Sequence, residues 1–416
     1  MSEPRAHGVS FGEAMKVWAR VAALSFGGPA GQIAVMQHEL VDRRKWIGQE
    51  AFLQALNFCM LLPGPEAQQL ATYVGWKLHG LKGALTAGIL FVLPGAVLLY
   101  ALAWVAAAHG DTAIVGAVLN GLKPVVVALV LHAVWRIGRR TLKTWIALGL
   151  ALMAFVALEM MHLPFPVIVL GAGLVGWITA KPGTALAEAF DTRGMARRLG
   201  KLAVTYLALL AIPVAIVVAF AGQQPFLTLA RFFTQSAFVT FGGAYAVLPY
   251  VADAAVNHFQ WLSSADMING LALAETTPGP LILVLEYVGF FAGWNSGGAL
   301  SPLAAATLGA LVTLYATFLP SIFLILAGAP YIEGIAKIKT AAGALSAITA
   351  AVVGVIATLA VFVARQVVFK TEGGIDVPGL LAILLAFVVL VRFKAGLHWV
   401  VLAGAAFGLA RAYAGF

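Results

Sequence analysis

Long apolar runs fill most of the chain, and helix-breaking residues interrupt four of them. The uninterrupted runs predict membrane-spanning helices near residues 84–107, 112–135, 144–161, 165–180, 202–222, 299–327, 341–364, 378–391 and 396–413. The interrupted runs are residues 11–41, 51–79, 226–251 and 265–293. In the first of these, both arms are shorter than the about 20 residues that cross a bilayer. We therefore predict that the interrupted runs form broken or re-entrant helical hairpins.

The helix breakers occur twice at one spacing. The first copy is Phe26-Gly27-Gly28, Trp46 and Pro63-Gly64-Pro65, and the second is Phe241-Gly242-Gly243, Trp261 and Pro278-Gly279-Pro280. The spacing is constant, since 241 − 26, 261 − 46 and 278 − 63 all equal 215. Paired, interrupted hydrophobic segments in corresponding halves point to the binding site of a transporter. The alternative is an old duplication that kept only packing glycines, although Pro-Gly-Pro is a costly insertion for packing alone.

Composition places the chain in a membrane. The chain is 62% hydrophobic and 10% charged, whereas soluble domains are about 25% charged. Cys59 is the single cysteine and the eight histidines show no metal-ligand spacing, so we predict no disulfide, no metal site and no cofactor. We attribute the net charge of +9 to basic cytoplasmic loops rather than to nucleic-acid binding.

The basic loops orient the predicted segments. Cytoplasmic loops are rich in lysine and arginine, and both Arg43–Lys45 and Lys77 face that side only if residues 51–79 turn back at Pro-Gly-Pro. The equivalent loop of the second copy, residues 257–261, has no lysine or arginine, as expected outside. We therefore predict an all-α polytopic integral membrane protein of two inverted-topology repeats, each with two interrupted hairpins followed by spanning helices. The predicted domains are residues 1–201 with a cytoplasmic linker, a connecting helix at 202–225 and an inverted repeat at 226–416, and the N-terminus is cytoplasmic.

The broken helices predict an anion site made largely of backbone. A helix that restarts inside a membrane points free N–H groups and the positive end of its dipole into the break. Proline suits the first position of the returning helix, and glycine lets the backbone approach a ligand closely. The predicted site contains Gly27, Gly28, Pro63, Gly64, Pro65, Gly242, Gly243, Pro278, Gly279 and Pro280.

Side chains near the breaks are further candidates for this site. Lys16 and Arg231 share the repeat spacing (231 − 16 = 215), and an intramembrane cation is a functional candidate. Snorkelling to the membrane interface is the alternative for both. Ser25 and Thr240 are paired in the same way, and either hydroxyl could donate to an oxyanion or cap its helix. Gln69 could add a polar contact.

Three carboxylates near the second break of each copy are candidates for carrying protons. Glu66 follows the first Pro-Gly-Pro directly, whereas Glu275 precedes the second one and Glu286 follows it. Ionisable residues at membrane depth form proton relays in pumps and transporters. For Glu66, the alternative is an acid that interacts favourably with a helix N-terminus. Leu281 stands at the position equivalent to Glu66 (281 − 66 = 215), so the two half-sites should differ in role.

These stretches together resemble the chromate ion transporter family in its long, two-domain form. The resemblance rests on Phe26-Gly27-Gly28-Pro29 with Gln32, Leu62-Pro63-Gly64-Pro65-Glu66-Ala67 with Gln69, Thr240-Phe241-Gly242-Gly243-Ala244 and Thr277-Pro278-Gly279-Pro280. It covers essentially the whole chain. It implies a secondary transporter, an antiporter of the bacterial inner membrane, that exports chromate at the expense of the proton motive force. Sulfate, which is also a tetrahedral dianion, would be the competitor.

From the residues alone, several functions stay open. A transporter of sulfate or another oxyanion and an anion channel share the same features. A membrane-embedded reductase is a further class, against which the single cysteine and the lack of haem or flavin motifs argue, so we predict that the protein is not an enzyme. The expected partners are chromate and the lipid bilayer, with no nucleic acid, and a homodimer is an open option.

Overall fold

The computed structural model describes residues 8–26, 28–180, 192–296, 298–332, 339–369 and 374–414. The described residues fold almost entirely into α-helices, numbered here in chain order. They are α1 (Phe11–Leu24), α2 (Gly28–Met36), α3 (Gln49–Leu61), α4 (Glu66–His109), α5 (Ala113–Thr141), α6 (Trp145–Glu159), α7 (Phe165–Thr179), α8 (Thr192–Ala221), α9 (Phe226–Val239), α10 (Ala244–Asp253), α11 (Ser264–Thr276), α12 (Val284–Trp294), α13 (Pro302–Gly328), α14 (Lys339–Val368), α15 (Val377–Arg392) and α16 (Leu397–Ala414). The predicted all-α membrane fold is confirmed.

Six of the described helices are long and apolar enough to cross a membrane, namely α4, α5, α8, α13, α14 and α16. In α4, the returning arm of the first Pro-Gly-Pro and the next span join at a kink, where His79 and Gly80 leave helical geometry. The helix α8 begins at Thr192, ahead of the predicted span at 202–222. Its charged first turns continue the helix because arginine, lysine, leucine and alanine all favour helical backbone.

Small residues let the central helices approach closely. The largest helix-to-helix contact joins α12 and α13, where Gly289 lies against Gly309 and Gly293 lies against Ala305. Neither glycine of α12 leaves room for a side chain, which is the usual way that membrane helices pack tightly. The helix α14 is largely buried between its neighbours, whereas α8 is almost fully exposed at the periphery, on the surface available to lipid.

The two copies of the repeated stretch share most of their backbone conformation, although Leu281–Leu283 forms a 3-10 turn where the first copy is already α-helical from Glu66. Helices α9 and α11 begin and end 215 residues after α1 and α3 (226 − 11, 239 − 24, 264 − 49 and 276 − 61). The loops repeat as well, since Gly28 and Gly243 have φ values of +76° and +92°, and Gly64 and Gly279 have values of +123° and +97°. Lys45 and Gln260, also equivalent, have the uncommon values of +55° and +53°.

Candidate functional site

The two Pro-Gly-Pro loops bind reciprocally to the breaks of the opposite repeat. The Gly64 N–H donates to the Thr240 carbonyl at 2.7 Å, and the Gly279 N–H donates to the Ser25 carbonyl at 2.8 Å. These contacts are equivalent under exchange of the repeats, because 240 − 25 and 279 − 64 are both 215. Each repeat therefore closes the broken helix of the other, as in the self-complementary contact of a two-fold pair.

Ser25 and Thr240 bond through both their carbonyls and their hydroxyls, to different partners. The helices α1 and α9 end just before Ser25 and Thr240, so these carbonyls have no partner one turn further along. The Ser25 hydroxyl donates to the Val21 carbonyl and the Thr240 hydroxyl donates to the Ser236 carbonyl, both at 2.6 Å. In the structure, each hydroxyl is bonded to its own helix. Donation to an oxyanion, the other predicted role, stays a prediction.

Two buried glutamines of the first repeat hold the loops in place. The Gln69 amide donates to the Pro63 carbonyl at 2.7 Å, and the Gln32 amide donates to the Gly279 carbonyl at 2.5 Å. Both side chains are fully buried. The equivalent positions in the second repeat are Val247 and Val284 (32 + 215 and 69 + 215). The glutamine contacts therefore occur in the first repeat alone, whereas the backbone hydrogen bonds of Gly64 and Gly279 occur in both repeats.

Two carboxylates lie at the Gly-Gly break of the second repeat. Glu66 is the first residue of α4, and a side chain at Gly243 would place its Cβ 3.6 Å from the Glu66 Oε2 atom. Glu275 accepts a hydrogen bond from the hydroxyl of Tyr245, two residues beyond Gly243. The N-termini of α4 and α10 thus meet at this point. Because both ends carry unpaired N–H groups and positive dipole ends, the meeting point favours negative charge.

Two exposed arginines near the end of α5 are close enough to these carboxylates to act on them electrostatically. Arg136 is within electrostatic range of Glu275 and Tyr245, and Arg140 is within range of Glu66. They are four residues apart, and therefore on one face of the helix. Arg139 points elsewhere and stacks on Trp135, with its guanidinium 5.0 Å from the ring centroid.

The remaining predicted residues lie in different places. Gly27 lies outside the described residues, and Gly242 packs against Val352 of α14. Lys16 and Arg231 are exposed on the outer faces of α1 and α9. Both precede their breaks by nine residues (25 − 16 and 240 − 231), or about 13 Å along a helix, and their binding role stays a prediction.

Glu286 is separate from the other two carboxylates. It lies in the first turn of α12, its side chain is 3% exposed, and its Oε2 atom has no hydrogen-bond partner among the described residues.

The sequence interpretation missed three residues of this site. Arg136 and Arg140 lie outside the breaks and are not among the predicted site residues, and Tyr245 has no polar counterpart, since Ala30 is its equivalent (245 − 215 = 30). The four-residue spacing of the arginines at the end of a predicted span was the available signal for two of them. No pattern indicated that α5 would pack beside the breaks.

The fold and the site together define a class of protein. Interlocked broken helices from two copies of one repeat, meeting inside a bundle of spanning helices, are typical of multi-pass membrane transporters.

The comparisons give the family. The family model described as chromate transporter matches residues 12–177 and 227–409, and the chain belongs to this family of transporters. The two matches begin 215 residues apart (227 − 12), which is the spacing of the repeated anchors.

Related proteins cover most of the chain. A chromate transport protein of Pseudomonas aeruginosa is 32% identical over 70% of this chain and 68% of its own length. A chromate transport protein of Cupriavidus metallidurans is 26% identical over 93% of this chain and 89% of its own length. A protein of Synechococcus elongatus, named as a probable chromate transport protein, is 27% identical over 76% of this chain and 74% of its own length. No solved structure matches the chain at a significant level.

Proposed function

We propose that the protein exports chromate from the cytoplasm across the bacterial inner membrane, as an antiporter driven by the proton gradient. The observation that carries this proposal is the meeting of two helix N-termini at Glu66 and Gly243, between two interlocked broken helices. Such a site suits a tetrahedral dianion, because backbone N–H groups and helix dipoles stabilise negative charge without a dedicated side chain. The names of the relatives from Pseudomonas and Cupriavidus support chromate as the substrate.

The proposed binding site lies between the Gly-Gly and Pro-Gly-Pro breaks. The free N–H groups at the starts of α4 and α10 would hold the oxyanion, and Arg136 and Arg140 would attract it. The N–H groups of Gly64 and Gly279 are engaged with carbonyls of the opposite repeat. They would become available to the anion only when the two repeats separate, so binding and rocking of the repeats would be coupled. Lys16 and Arg231 would attract anions from the outer faces.

The direction of transport follows from the proposed orientation. With the N-terminus in the cytoplasm, the arginines at 136, 139 and 140 face inside, where they would collect the anion. Arg365 would face outside, and it pairs with Glu159 at 2.9 Å, so that its charge is balanced there. Protons entering from outside would be taken up by carboxylates near the breaks.

Transport into inside-out membrane vesicles tests this function. Labelled chromate is supplied with and without an imposed proton gradient, and with excess sulfate. We expect gradient-dependent accumulation that sulfate inhibits. Equilibration without accumulation would indicate an anion channel instead, and an absence of uptake would contradict chromate as the substrate.

A further inference from the structure

Three hydroxyl side chains form a line along the buried face of α13. Thr313, Thr317 and Ser321 follow one another at four-residue spacing, which places them on one face of the helix. All three are at most 1% exposed, and none of their oxygen atoms has a hydrogen-bond partner among the described residues. The line spans eight residues (321 − 313), or about 12 Å along the helix.

Most buried serine and threonine hydroxyls elsewhere in the described bundle behave differently, with Thr234 of α9 as an exception. Thr72, Ser236 and Thr349 each donate to the carbonyl four residues earlier in their own helix. This internal bond is the usual way for a hydroxyl to be satisfied in a buried helix. The three hydroxyls of α13 leave it unmade, although a buried unpaired hydroxyl is costly. Their cost is offset if water molecules bridge them.

One end of the line reaches the first Pro-Gly-Pro break. A Cβ atom at Gly64 would collide with the Ser321 hydroxyl and lie 2.8 Å from the Gln69 amide nitrogen. The Oε1 atom of Gln69 also has no partner among the described residues. Ser321 and Gln69 therefore present unpaired oxygens at the same loop.

The other end reaches the level of Glu286. Antiparallel packing brings Gly293 to Ala305, and Gly289 to Gly309 and Thr313. Glu286 lies one turn before Gly289 on the same face of α12. Continuing this register by one turn puts the unpaired carboxylate beside the stretch from Thr313 to Thr317.

The corresponding helix of the other repeat has no such line. Gly83 and Pro94 of α4 correspond to Gly309 and Pro320 of α13 (309 − 83 and 320 − 94 are both 226). At that spacing, the hydroxyls of α13 are replaced by Ala87, Phe91 and Gly95. Gly95 packs on the carbonyl of Pro278, and Leu283 fills the space beside Gly279. The second Pro-Gly-Pro loop thus packs against Gly95 and Leu283, whereas the first packs against the hydroxyl of Ser321 and the amide of Gln69.

We propose that Glu286 and the hydroxyl line of Thr313, Thr317 and Ser321 form a proton path that leads to the first Pro-Gly-Pro break, at one border of the proposed anion site. The inference rests on the proposed function and names the route of its coupling ion. A proton leaves the Glu286 carboxyl for a bridging water, and further waters between the hydroxyls, which are about 6 Å apart along the helix, carry it to Ser321. Each hydroxyl and each water gains one proton and loses one, Ser321 releases its proton to water at the first Pro-Gly-Pro break, and the carboxylate is reprotonated from the other side.

The shape of the group favours a proton over a metal cation. A sodium or other monovalent ion needs several oxygens converging on one point, whereas these oxygens extend along about 12 Å of helix. The elements packed against α12 carry Tyr100 on α4, Asp266 and Glu275 on α11, Tyr315 on α13 and Arg231 on α9, and Tyr287 is the next residue of α12 itself. The other ionisable residues of α4 are Glu66, Tyr73, Lys77, His79, Lys82 and His109. Tyr100 donates to or accepts from Thr307, Tyr315 donates to the Leu209 carbonyl, Glu275 pairs with Tyr245, and Arg231 is exposed. The Oε2 atom of Glu286 has no hydrogen-bond partner among the described residues, so a proton can bind there without displacing one.

Purified protein in proteoliposomes separates coupling from binding. Exchange of labelled chromate against unlabelled chromate at equal pH reports substrate binding and the rocking motion, and accumulation driven by a pH gradient reports coupling. The variants are Glu286→Gln, Glu286→Asp and Thr317→Val. The matched control is Thr358→Val, a buried hydroxyl that already donates to the Val355 carbonyl at 2.8 Å.

We expect Glu286→Gln to keep wild-type exchange and to lose pH-driven accumulation. Glu286→Asp should restore part of the accumulation, and Thr317→Val should slow it without changing exchange, while Thr358→Val matches the wild type in both. A sodium gradient should drive no accumulation in any variant. Wild-type accumulation by Glu286→Gln would overturn the path, and so would loss of exchange and accumulation together. A wild type without chromate exchange would overturn the proposed substrate and the path with it.

Discussion

Gly64 and Gly279 hold the two Pro-Gly-Pro loops in a backbone conformation that residues with side chains avoid. Their positive φ values aim each N–H at the carbonyl of the opposite repeat. Gly64 also has no space for a side chain, because Ser321 and Gln69 occupy that position. The contact between the repeats therefore depends on single residues.

Replacing Gly64 by valine should abolish transport while leaving membrane insertion intact. The substitution imposes backbone strain of about 1–3 kcal/mol and collides with Ser321. Gly171→Ala in α7, where no atom lies within 4 Å of the added Cβ, is the control. Chromate uptake and detergent-solubilised yield are measured together. Wild-type uptake by Gly64→Val would exclude the loop from the transport pathway.

Arg136 and Arg139 differ in their expected importance for transport, although both are exposed at the end of α5. Arg136 lies within electrostatic range of Glu275 and Tyr245, and Arg139 stacks on Trp135. Arg136→Gln should raise the KM for chromate by about tenfold, as expected for loss of one favourable charge interaction worth about 1.4 kcal/mol. Arg139→Gln should stay near the wild type. Equal KM values for the two variants would contradict the placement of Arg136 at the site.

At the scale of elements, the same turn is stabilised in two chemically different ways. After α2, Arg44 and Arg43 pair with the buried Glu39, the latter at 3.1 Å, and Arg44 lies over the ring of Trp46 at 5.7 Å. In the second repeat, the position of Arg44 is taken by Phe259, which stacks on Trp261 at 4.4 Å. The same turn is thus stabilised by ion pairs in the first repeat and by aromatic stacking in the second. This difference fits the proposed cytoplasmic position of the first loop and external position of the second.

Glu39→Gln should lower the stability of the first repeat by about 1–3 kcal/mol, because a buried acceptor of two charged hydrogen bonds is lost. Burial alone would raise the pKa of Glu39, but the hydrogen bonds and charges of Arg43 and Arg44 outweigh it and lower the pKa. The contribution of Glu39 is therefore present above its unfolded-state pKa and is lost as the pH falls through its lowered folded-state pKa. Thermal unfolding in detergent should show a difference between variant and wild type at neutral pH that narrows in strong acid. A difference independent of pH would contradict the ionic account.

The helices and breaks were predictable from sequence, whereas their contacts were not. The lengths of the apolar runs, together with three anchors (Phe-Gly-Gly, Trp and Pro-Gly-Pro) that each occur in two copies, indicated broken helices at 26–28, 63–65, 241–243 and 278–280. The bond from Gly64 to Thr240 joins residues 176 positions apart (240 − 64), and no local pattern specifies it. The positions of Tyr245 and Arg136 also depend on how α10 and α5 each pack against α14.

At the scale of the whole molecule, the two repeats act as opposed halves that close each other's breaks. If the halves separate, the N–H groups of Gly64 and Gly279 lose their carbonyl partners and can donate to a bound oxyanion instead. Separation of the halves and binding of the substrate can therefore be linked. The asymmetric polar groups, with Gln32 and Gln69 in the first repeat and the hydroxyls of α13 in the second, make the two halves chemically different.

The most direct test of this account is the sidedness of two equivalent residues. Asp42 and Asn257 are exposed and related by the repeat spacing (257 − 42 = 215). Each is replaced by cysteine in a Cys59→Ala background and labelled with a membrane-impermeant thiol reagent in intact cells and in inside-out vesicles. The account predicts that the variant Asp42→Cys is labelled only in inside-out vesicles and Asn257→Cys only in intact cells. Labelling of both from the same side would contradict the inverted repeats, and with them the mechanism of transport proposed here.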